Sequence, residues 1–405
     1  MKVKKHMKLK KKVKEKIRNK KIYRLYSVTS VFVQDFFLVF FSMLFRIVPV
    51  KKNKIVFSSF NGTQYNGQPK KICDELAKKN SNFDIVWILP ERLAVECEFR
   101  TVDSKSIKSV FELMTARVWI DNCRKKFWIK KRKKQLYIQT WHGPVCLKGV
   151  EKDVKDTLPP FYVRSAIQDS KNADFIVAET RWREENIKQA FWYSGKLIRA
   201  EFKDKNLISE NEIRNRICNL YNFDLNDKII LYAPTFREDE STKCYLKDFE
   251  SIRNILNRKT GDNWKVIVRL HPNIANKSHF IDYSDVVVNG TNYSSIEELI
   301  CISDFIVSDY SGCIFEGFKA RKKVILYCQD LNEYVKRDRK LYFDLKDLPA
   351  PMAEDIDDLC EKLRKFDYNE YERNRCCFVE KLGYFEEDAA IISSGIIGEF
   401  IKKGC

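Results

Sequence analysis

The chain has 405 residues and a formal net charge of +19, with 75 Lys and Arg against 56 Asp and Glu. This length exceeds one ordinary hydrophobic core and predicts two domains. The 13 glycines and 10 prolines are too few for a fibrous or disordered chain, and the 13 cysteines lack the paired spacing of a disulfide framework or zinc site. The composition therefore predicts a folded protein of a reducing compartment that favours polyanionic partners.

The first 50 residues combine a basic arm with an apolar segment. Residues 1–22 contain twelve Lys or Arg and one Glu. In the following segment, 27–50, the most apolar stretch is the ten residues 36–45, between Asp35 and Arg46, whereas a helix needs about 20 to cross the hydrocarbon core. We therefore expect a membrane-associating segment that lies in the interface of an anionic bilayer. Packing on the first domain, or a true span with the N-terminus in the cytosol, are the alternatives.

From Lys54 onward, short continuous apolar runs alternate with charged amphipathic stretches. Such runs are typical of strands buried on both faces of a parallel sheet, and their alternation with helices predicts doubly wound α/β domains. The runs cover 54–59, 84–89, 117–121, 136–140, 174–178, 228–234, 265–271, 284–288, 304–309 and 323–328. The pattern weakens between Glu201 and Asn226. We therefore expect domains at 51–215 and 216–405 after the arm at 1–50, with ligands bound between them at the carboxyl ends of the strands.

Two of the four histidines end predicted strands. His142 stands in the sequence Gln-Thr-Trp-His-Gly-Pro, where Gly143 begins a turn, and Lys148 follows within reach of an anionic substrate. A histidine there can act as a general base toward a hydroxyl, because its ordinary pKa lies near neutrality. The alternative is a histidine that only packs beside Trp141.

The second histidine, His271, follows Arg269 at the end of another run. Along a strand these two side chains point the same way. A guanidinium and an imidazole on one face suit a phosphate or pyrophosphate better than a metal ion. A structural pair between Arg269 and a carboxylate is the competing interpretation.

Two further strand ends carry phosphate-binding chemistry. Thr235 and Arg237 follow one strand, and Ser308, Asp309 and Ser311 follow another and open a predicted helix. Hydroxyls and free N–H groups at a helix N-terminus bind phosphate well. The chain contains neither a P-loop nor a dinucleotide-binding glycine motif. No Asp-x-Asp pair ends a strand, so we expect no essential metal and no cofactor.

In their order and spacing, seven segments of the chain resemble the CDP-glycerol glycerophosphotransferase family, the polymerases and primases of teichoic acids and related capsules. They are 54–76, 137–143, 190–197, 232–237, 269–273, 307–318 and 342–345. The resemblance implies two Rossmann-like domains of the glycosyltransferase-B type and a peripheral enzyme at the cytoplasmic face of the membrane. It implies transfer of glycerol phosphate from CDP-glycerol to a hydroxyl of a lipid-linked, polyanionic polymer, with release of CMP. No nucleic acid is expected as a partner.

The resemblance also implies roles for single residues. His142 matches the histidine taken as the base for the acceptor hydroxyl, and His271 matches a second essential histidine near the donor phosphates. Gly143 and Lys148 are then expected on the acceptor side, in the first domain. The expected donor site, in the second domain, consists of Thr235, Arg237, Arg269, Ser308, Asp309, Ser311 and Glu316.

Several positions depart from the family pattern. Gly312 replaces a second serine, Glu316 replaces an aspartate, and Lys323 replaces the usual proline. Residues 201–206 replace a Gly-x-Pro-Arg-Asn-Asp turn of many relatives. These departures leave two other hypotheses open: a nucleotide-sugar glycosyltransferase of the same fold, and a catalytically impaired homologue that binds polyanions or membranes. The sequence does not distinguish glycerol from ribitol as the transferred alditol.

A second basic run, residues 124–134, contains eight Lys or Arg and no acidic residue. A run of this kind is often a solvated face of the protein. The alternative is that it holds the polyanionic acceptor near His142.

Overall fold

The computed structural model of the chain describes residues 37–79, 82–203, 209–237, 241–337 and 340–403. The first domain contains a parallel sheet whose strands are β1 (Lys54–Ser58), β2 (Asp84–Ile88), β3 (Arg100–Val102), β4 (Val118–Asp121), β5 (Leu136–Gln139), β6 (Phe175–Ala178) and β7 (Lys196–Arg199). Their order across the sheet is β3-β2-β1-β4-β5-β6-β7. The order reverses between β1 and β4, and this is where such sheets bind ligands.

The second domain contains a parallel sheet built in the same way. Its strands are β8 (Lys228–Ala233), β9 (Trp264–Val268), β10 (Val287–Asn289), β11 (Phe305–Ser308), β12 (Lys323–Tyr327) and β13 (Met352–Ala353). Their order is β10-β9-β8-β11-β12-β13, with the reversal between β8 and β11. The predicted α/β fold with two Rossmann-like domains is confirmed.

The helices lie on both faces of the two sheets. Those of the first half are α1 (Gly67–Ala77), α2 (Ile107–Thr115), α3 (Pro160–Asn172) and α4 (Arg181–Ala190). Those of the second half are α5 (Glu210–Tyr221), α6 (Phe249–Thr260), α7 (Ile296–Ile302), α8 (Cys313–Lys319), α9 (Leu331–Arg337), α10 (Ile356–Lys365), α11 (Tyr368–Leu382) and α12 (Ala389–Lys402). Short 3-10 turns cover Glu91–Glu96, Glu151–Thr157, Pro272–Phe280 and Leu345–Asp347.

All ten predicted strands are present, and three further strands were missed. The missed strands β3, β7 and β13 each form an edge of a sheet, and they are short and partly exposed. An edge strand therefore lacks the continuous apolar run that reveals a central strand. The run at 265–271 was predicted too long, because sheet pairing ends at Val268.

Alternate residues of each central strand serve two separate cores. In β8, Ile229 and Leu231 belong to the core on one face of the sheet, whereas Ile230 and Tyr232 belong to the core on the other. The first sheet has the same two-sided arrangement. This double burial fixes the sheets rigidly and holds the loops at their carboxyl ends in place.

The chain crosses between the domains twice. Helix α5 packs Ile213 and Ile217 into the core of the second domain, so the second domain begins before residue 216. Helix α12 returns to the first domain, where Ala389 and Ile397 share a core with Ile72. This packing differs from the expected assignment of all of 216–405 to one domain, since an apolar C-terminal helix does not indicate which sheet it covers.

The basic arm at 1–22 and the beginning of the apolar segment lie outside the described residues. Residues 37–44 are helical, and Leu38, Val39 and Phe45 pack against the first domain. The opposite side exposes Phe37, Phe40, Met43, Leu44 and Ile47. Among the described helices, none is both long and apolar enough to cross a membrane.

Candidate active site

The turn that follows β5 carries His142 into the cleft between the domains. Gln139 is fully buried, and its Oε1 accepts a hydrogen bond from the main-chain N–H of Trp141 at 2.9 Å. Trp141 and Gly143 both have positive φ, of 58° and 101°. Because a bulky residue rarely adopts a left-handed conformation, this turn is a strained one held by its surroundings.

The His142 ring is oriented by two contacts. Its Nδ1 lies 2.9 Å from the main-chain oxygen of Asn122, and the ring stacks on Trp141 with centroids 4.5 Å apart. A carbonyl oxygen only accepts, so Nδ1 carries the proton and Nε2 is left as the basic nitrogen. The ring remains exposed to the cleft, so it both packs on Trp141 and can meet a ligand.

The surroundings of His142 favour its neutral form. Desolvation by the protein atoms packed around the exposed ring lowers the pKa of His142 below its ordinary value, and the cations of Arg183 and Arg124 lower it further. The hydrogen bond to Asn122 acts in the opposite direction. A histidine that is neutral near pH 7 is suited to accept a proton.

A short ladder of main-chain hydrogen bonds between the domains places Lys148 near His271. The N–H of Gly149 donates to the Lys340 oxygen at 2.6 Å, and the N–H of Tyr342 donates to the Leu147 oxygen at 2.8 Å. His271 is exposed, and its ring stacks on Phe236 with centroids 5.6 Å apart. Partial burial and the nearby Lys148 ammonium both lower the pKa of His271. The first domain therefore supplies a cation beside the histidine of the second.

Arg269 and Ser311 lie at the strand ends of the second domain. Arg269 is half-buried and forms no salt bridge with any described residue, while its Nη1 donates to the Tyr293 oxygen at 2.5 Å. The prediction that Arg269 and His271 both lie in this strand is wrong, because the strand ends at Val268. Ser311 is partly exposed, and its Oγ lies 3.4 Å from the N–H of Cys313. A guanidinium without a carboxylate partner can still bind a phosphate.

Arg237 is placed differently from the expectation of a donor ligand. Its guanidinium is buried and binds both oxygens of Asp330 at 2.7 and 2.9 Å, and its Nη2 also binds Asp309 at 2.9 Å. These two carboxylates hold the pKa of Arg237 above its ordinary value despite the cost of burial. A structural ion pair with a carboxylate was the competing interpretation for Arg269. The structure shows such a pair at Arg237.

Asp309, Ser308 and Thr235 belong to the same buried framework. Asp309 accepts from the N–H of Thr235 at 2.7 Å, and the Ser308 hydroxyl donates to the Ala233 oxygen at 2.6 Å. Both Asp309 and Ser308 are buried. Their polar atoms already bind the protein, so a contact of Asp309 and Ser308 with the donor stays a prediction. Only the Thr235 hydroxyl of this group lacks a protein partner.

Glu316 of the second domain lies close to the turn that carries His142. A methyl group placed on Gly143 would lie 3.9 Å from its Oε1. Desolvation raises the pKa of Glu316 to about 7, the carboxylates of Glu179 and Glu297 add to the rise, and Lys319 opposes it. Glu316 also lines a cavity of about 680 Å³ between the domains. The cleft thus contains a carboxyl group whose charge changes near neutral pH.

Arg183 was missed by the sequence analysis. It is buried, its Nη2 donates to the Gly143 oxygen at 3.3 Å and its Nη1 donates to Asn186 at 2.7 Å. Arg183 thus supports the turn of His142 through its hydrogen bond to the main chain of Gly143. Arg183 lies in the charged helix α4, where an arginine is usually exposed to solvent. The local sequence therefore does not indicate this contact.

The second basic run is partly structural. Arg124 is buried and binds Glu151 at 2.7 Å and Asp169 at 3.2 Å, and Lys125 binds Asp121 at 2.7 Å. The lysines that stay exposed are Lys126, Lys130, Lys133 and Lys134. Among the described residues no group of three His, Cys, Asp or Glu could hold a metal ion, and a site that needs neither metal nor cofactor stays a prediction.

The chain is similar to proteins of teichoic acid synthesis. The teichoic acid poly(glycerol phosphate) polymerase of Staphylococcus epidermidis is 27% identical over 373 residues, which are 87% of this chain and 51% of that protein. The teichoic acid glycerol-phosphate transferase of Staphylococcus aureus is 28% identical over 357 residues, which are 84% and 91% of the two chains. The chain spans about half the length of the S. epidermidis polymerase and of its Bacillus subtilis counterpart (51% and 48%).

The fold is also that of a solved member of this group. The structure of the wall teichoic acid polymerase TagF matches with a TM-score of 0.78 at 25% identity, and the match covers 94% of this chain and 97% of that one. The model of the family described as CDP-Glycerol:Poly(glycerophosphate) glycerophosphotransferase matches residues 39–391. Since that range includes both domains and the cleft, the chain belongs to the CDP-glycerol:poly(glycerophosphate) glycerophosphotransferase family.

Proposed function

We propose that this chain transfers glycerol phosphate from CDP-glycerol to a hydroxyl group of a teichoic-acid-like or capsular polymer and releases CMP. The observation that carries the proposal is the cleft itself. In each domain an exposed histidine whose pKa is lowered lies in the segment that follows a strand, and Lys148 and Arg269 lie beside these histidines. The names of the relatives, which include a teichoic acid glycerol-phosphate transferase and a teichoic acid ribitol-phosphate primase, support the same class of reaction.

The proposed reaction is a single displacement at phosphorus. The acceptor oxygen attacks the β-phosphorus of CDP-glycerol, and the bond from that phosphorus to the oxygen of CMP breaks. Nε2 of His142 takes the proton of the acceptor hydroxyl, and CMP leaves with the bonding electrons. Arg269, Lys148 and the Ser311 hydroxyl stabilise the charge on the phosphate oxygens, and the two domains align the reactants.

Release of CMP from CDP-glycerol, in the presence of a membrane or lipid-linked acceptor, tests this proposal. We expect acceptor-dependent release by the purified protein and a loss of about 100-fold or more in His142→Ala, because general base catalysis contributes about 10² to 10⁴. His279→Ala is the matched control, since His279 is an exposed histidine outside the cleft. Full activity of the His142 variant would refute the assignment of the base.

The same assay separates the alternatives. CMP release from CDP-ribitol alone would keep the reaction class and change the alditol. A nucleoside diphosphate released from a nucleotide sugar would instead indicate a glycosyltransferase. No release from any of these donors by folded protein would favour a binding homologue, for which the departures at Gly312 and 201–206 provide a reason.

We further propose that the protein works on a lipid-linked acceptor as a peripheral protein of the cytoplasmic membrane face. The apolar side of residues 37–47 supports this, and it lies beside exposed basic residues. Nη1 of Arg46 donates to the Lys130 oxygen at 2.6 Å, and Nη1 of Arg132 donates to the oxygens of Arg46 and Val48 at 2.7 Å. An apolar surface flanked by lysines suits an anionic bilayer interface.

A further inference from the structure

The base of the proposed reaction is hydrogen-bonded to Asn122, a residue that belongs to none of the motifs of the sequence. Asn122 follows β4 at the carboxyl edge of the first sheet and is fully buried. Its main-chain oxygen accepts a hydrogen bond from Nδ1 of His142 at 2.9 Å. Because β4 lies between β1 and β5 in the sheet, Asn122 can reach the loops that follow both neighbours.

The side chain of Asn122 is bound to the loop after β1. Its Oδ1 accepts from the N–H of Phe60 at 2.7 Å, and its Nδ2 donates to the Ser59 hydroxyl at 3.2 Å. That hydroxyl donates in turn to the Asn66 oxygen at 2.8 Å. Both polar ends of the amide are therefore occupied, so the position of its main-chain carbonyl is fixed by the first loop.

The loop that Asn122 holds is strained. Phe60, Asn61 and Gly62 have consecutive positive φ values of 48°, 58° and 69°. Left-handed backbone at a bulky residue such as Phe60 costs of the order of 1 kcal/mol or more and persists only when the surroundings enforce it. The Phe60 ring lies 6.3 Å from the His142 ring. The strain is thus located at the wall of the cleft that faces the base.

We infer that Asn122 is a positioning residue for the reaction proposed above: it locks His142 in the Nδ1–H tautomer with Nε2 toward the cleft and couples that ring to the Ser59–Gly62 turn. The inference rests on the proposed role of His142 as the base. A main-chain carbonyl takes the place that a carboxylate has in many histidine dyads, so it orients the ring without adding a full negative charge.

The effect of Asn122→Ala on turnover tests this role. We expect kcat to fall about tenfold or more, as for other groups that orient a catalytic ligand, while the KM for CDP-glycerol changes little. The substitution keeps the main-chain carbonyl of Asn122 but frees it from the loop after β1, so the bond from that carbonyl to Nδ1 of His142 weakens. The acid limb of the pH profile then moves to lower pH, because this bond supports the protonated ring against the nearby Arg183 and Arg124. In a His142→Ala background the Asn122 substitution has no further effect on the rate.

Asn172→Ala is the matched control. Asn172 is a buried asparagine of the same domain whose side chain bridges two main-chain groups of another loop, at Ile129 and Lys131. It should lose stability without the change in kcat or pH profile. Equal kcat losses in the two variants, or additive losses with His142→Ala, would overturn the inference. If Asn122→Ala does not fold, Ser59→Ala decides, with a smaller loss in kcat expected and an unchanged kcat as the contrary result.

A second measurement is independent of activity. The chain has four histidines, so nitrogen-15 NMR of labelled histidine, with His142→Ala for assignment, reports the tautomer of His142 directly. We expect the Nδ1–H form in the wild type and a mixture of tautomers in the Asn122 variant. If wild type releases no CMP yet holds this tautomer, the proposed function fails and the positioning stands. A His142 ring already mixed in wild type refutes the positioning alone.

Discussion

The carboxyl group of Glu316 makes the stability of the fold depend on pH. Its folded pKa of about 7 exceeds the ordinary 4.5 because the carboxyl is desolvated beside Glu179 and Glu297. Between these two values the folded chain binds more protons than the unfolded chain, so stability falls as pH rises from about 5 to 8. Glu316→Gln removes this dependence. We expect the variant to gain of the order of 1 to 3 kcal/mol over wild type at pH 8 and little at pH 5.

Thermal unfolding of both proteins across this pH range measures the difference. Glu370→Gln, at an exposed carboxyl of α11, is the control, and its curve should run parallel to that of wild type. The same stabilisation by Glu316→Gln at pH 5 and at pH 8 would contradict the assignment, because a simple gain in packing has no pH dependence.

At the scale of elements, Arg237 ties the strand ends of the second domain together. It binds Asp309 after β11 and Asp330 before α9, and its Nη1 donates to the Thr235 oxygen after β8 at 2.7 Å. Arg237→Ala leaves two buried carboxylates without their cation. We expect a loss of about 3 to 5 kcal/mol in the free energy of unfolding, as for other broken buried ion pairs, measured by denaturant titration.

Arg269→Ala is the natural comparison, since Arg269 also follows a strand but forms no salt bridge among the described residues. We expect this variant to keep most of its stability and to raise the KM for CDP-glycerol. The prediction for Arg237 fails if Arg237→Ala unfolds at the same denaturant concentration as wild type and raises the same KM, because Arg237 would then be a donor ligand.

These two arginines show which features of the site can be predicted from local sequence and which cannot. Continuous apolar runs such as Lys228–Ala233 are determined by burial on both faces, so central strands and the cleft between the domains could be predicted. Arg237 and Arg269 look alike in local sequence. What separates them is Asp330, which lies 93 residues from Arg237 and is brought to it only by the sheet. The roles of Asn122 and Arg183 depend on such long-range contacts as well.

At the scale of the whole molecule, the two domains contact each other on both sides of the cleft. The ladder at 147–150 and 340–342 joins them on one side. On the other side, Lys319 of the second domain binds Glu201 of the first, and α12 packs on the first sheet. The departure from the family pattern at 201–206 therefore begins at Glu201, in a contact between the domains.

We expect the N-terminal arm to bind the protein to the membrane and to take no part in the reaction. Each Lys or Arg near an anionic leaflet contributes about 1 kcal/mol, and the twelve in residues 1–22 are separate in sequence from every residue of the cleft. Deleting 1–22 should therefore lower recovery with vesicles of phosphatidylglycerol and phosphatidylcholine more than it lowers turnover on a soluble acceptor. Phe40→Asp, on the exposed side of 37–47, should weaken the apolar part of binding that survives at high salt. Equal recovery of the truncated and full-length proteins at low salt would show that the arm does not bind the bilayer.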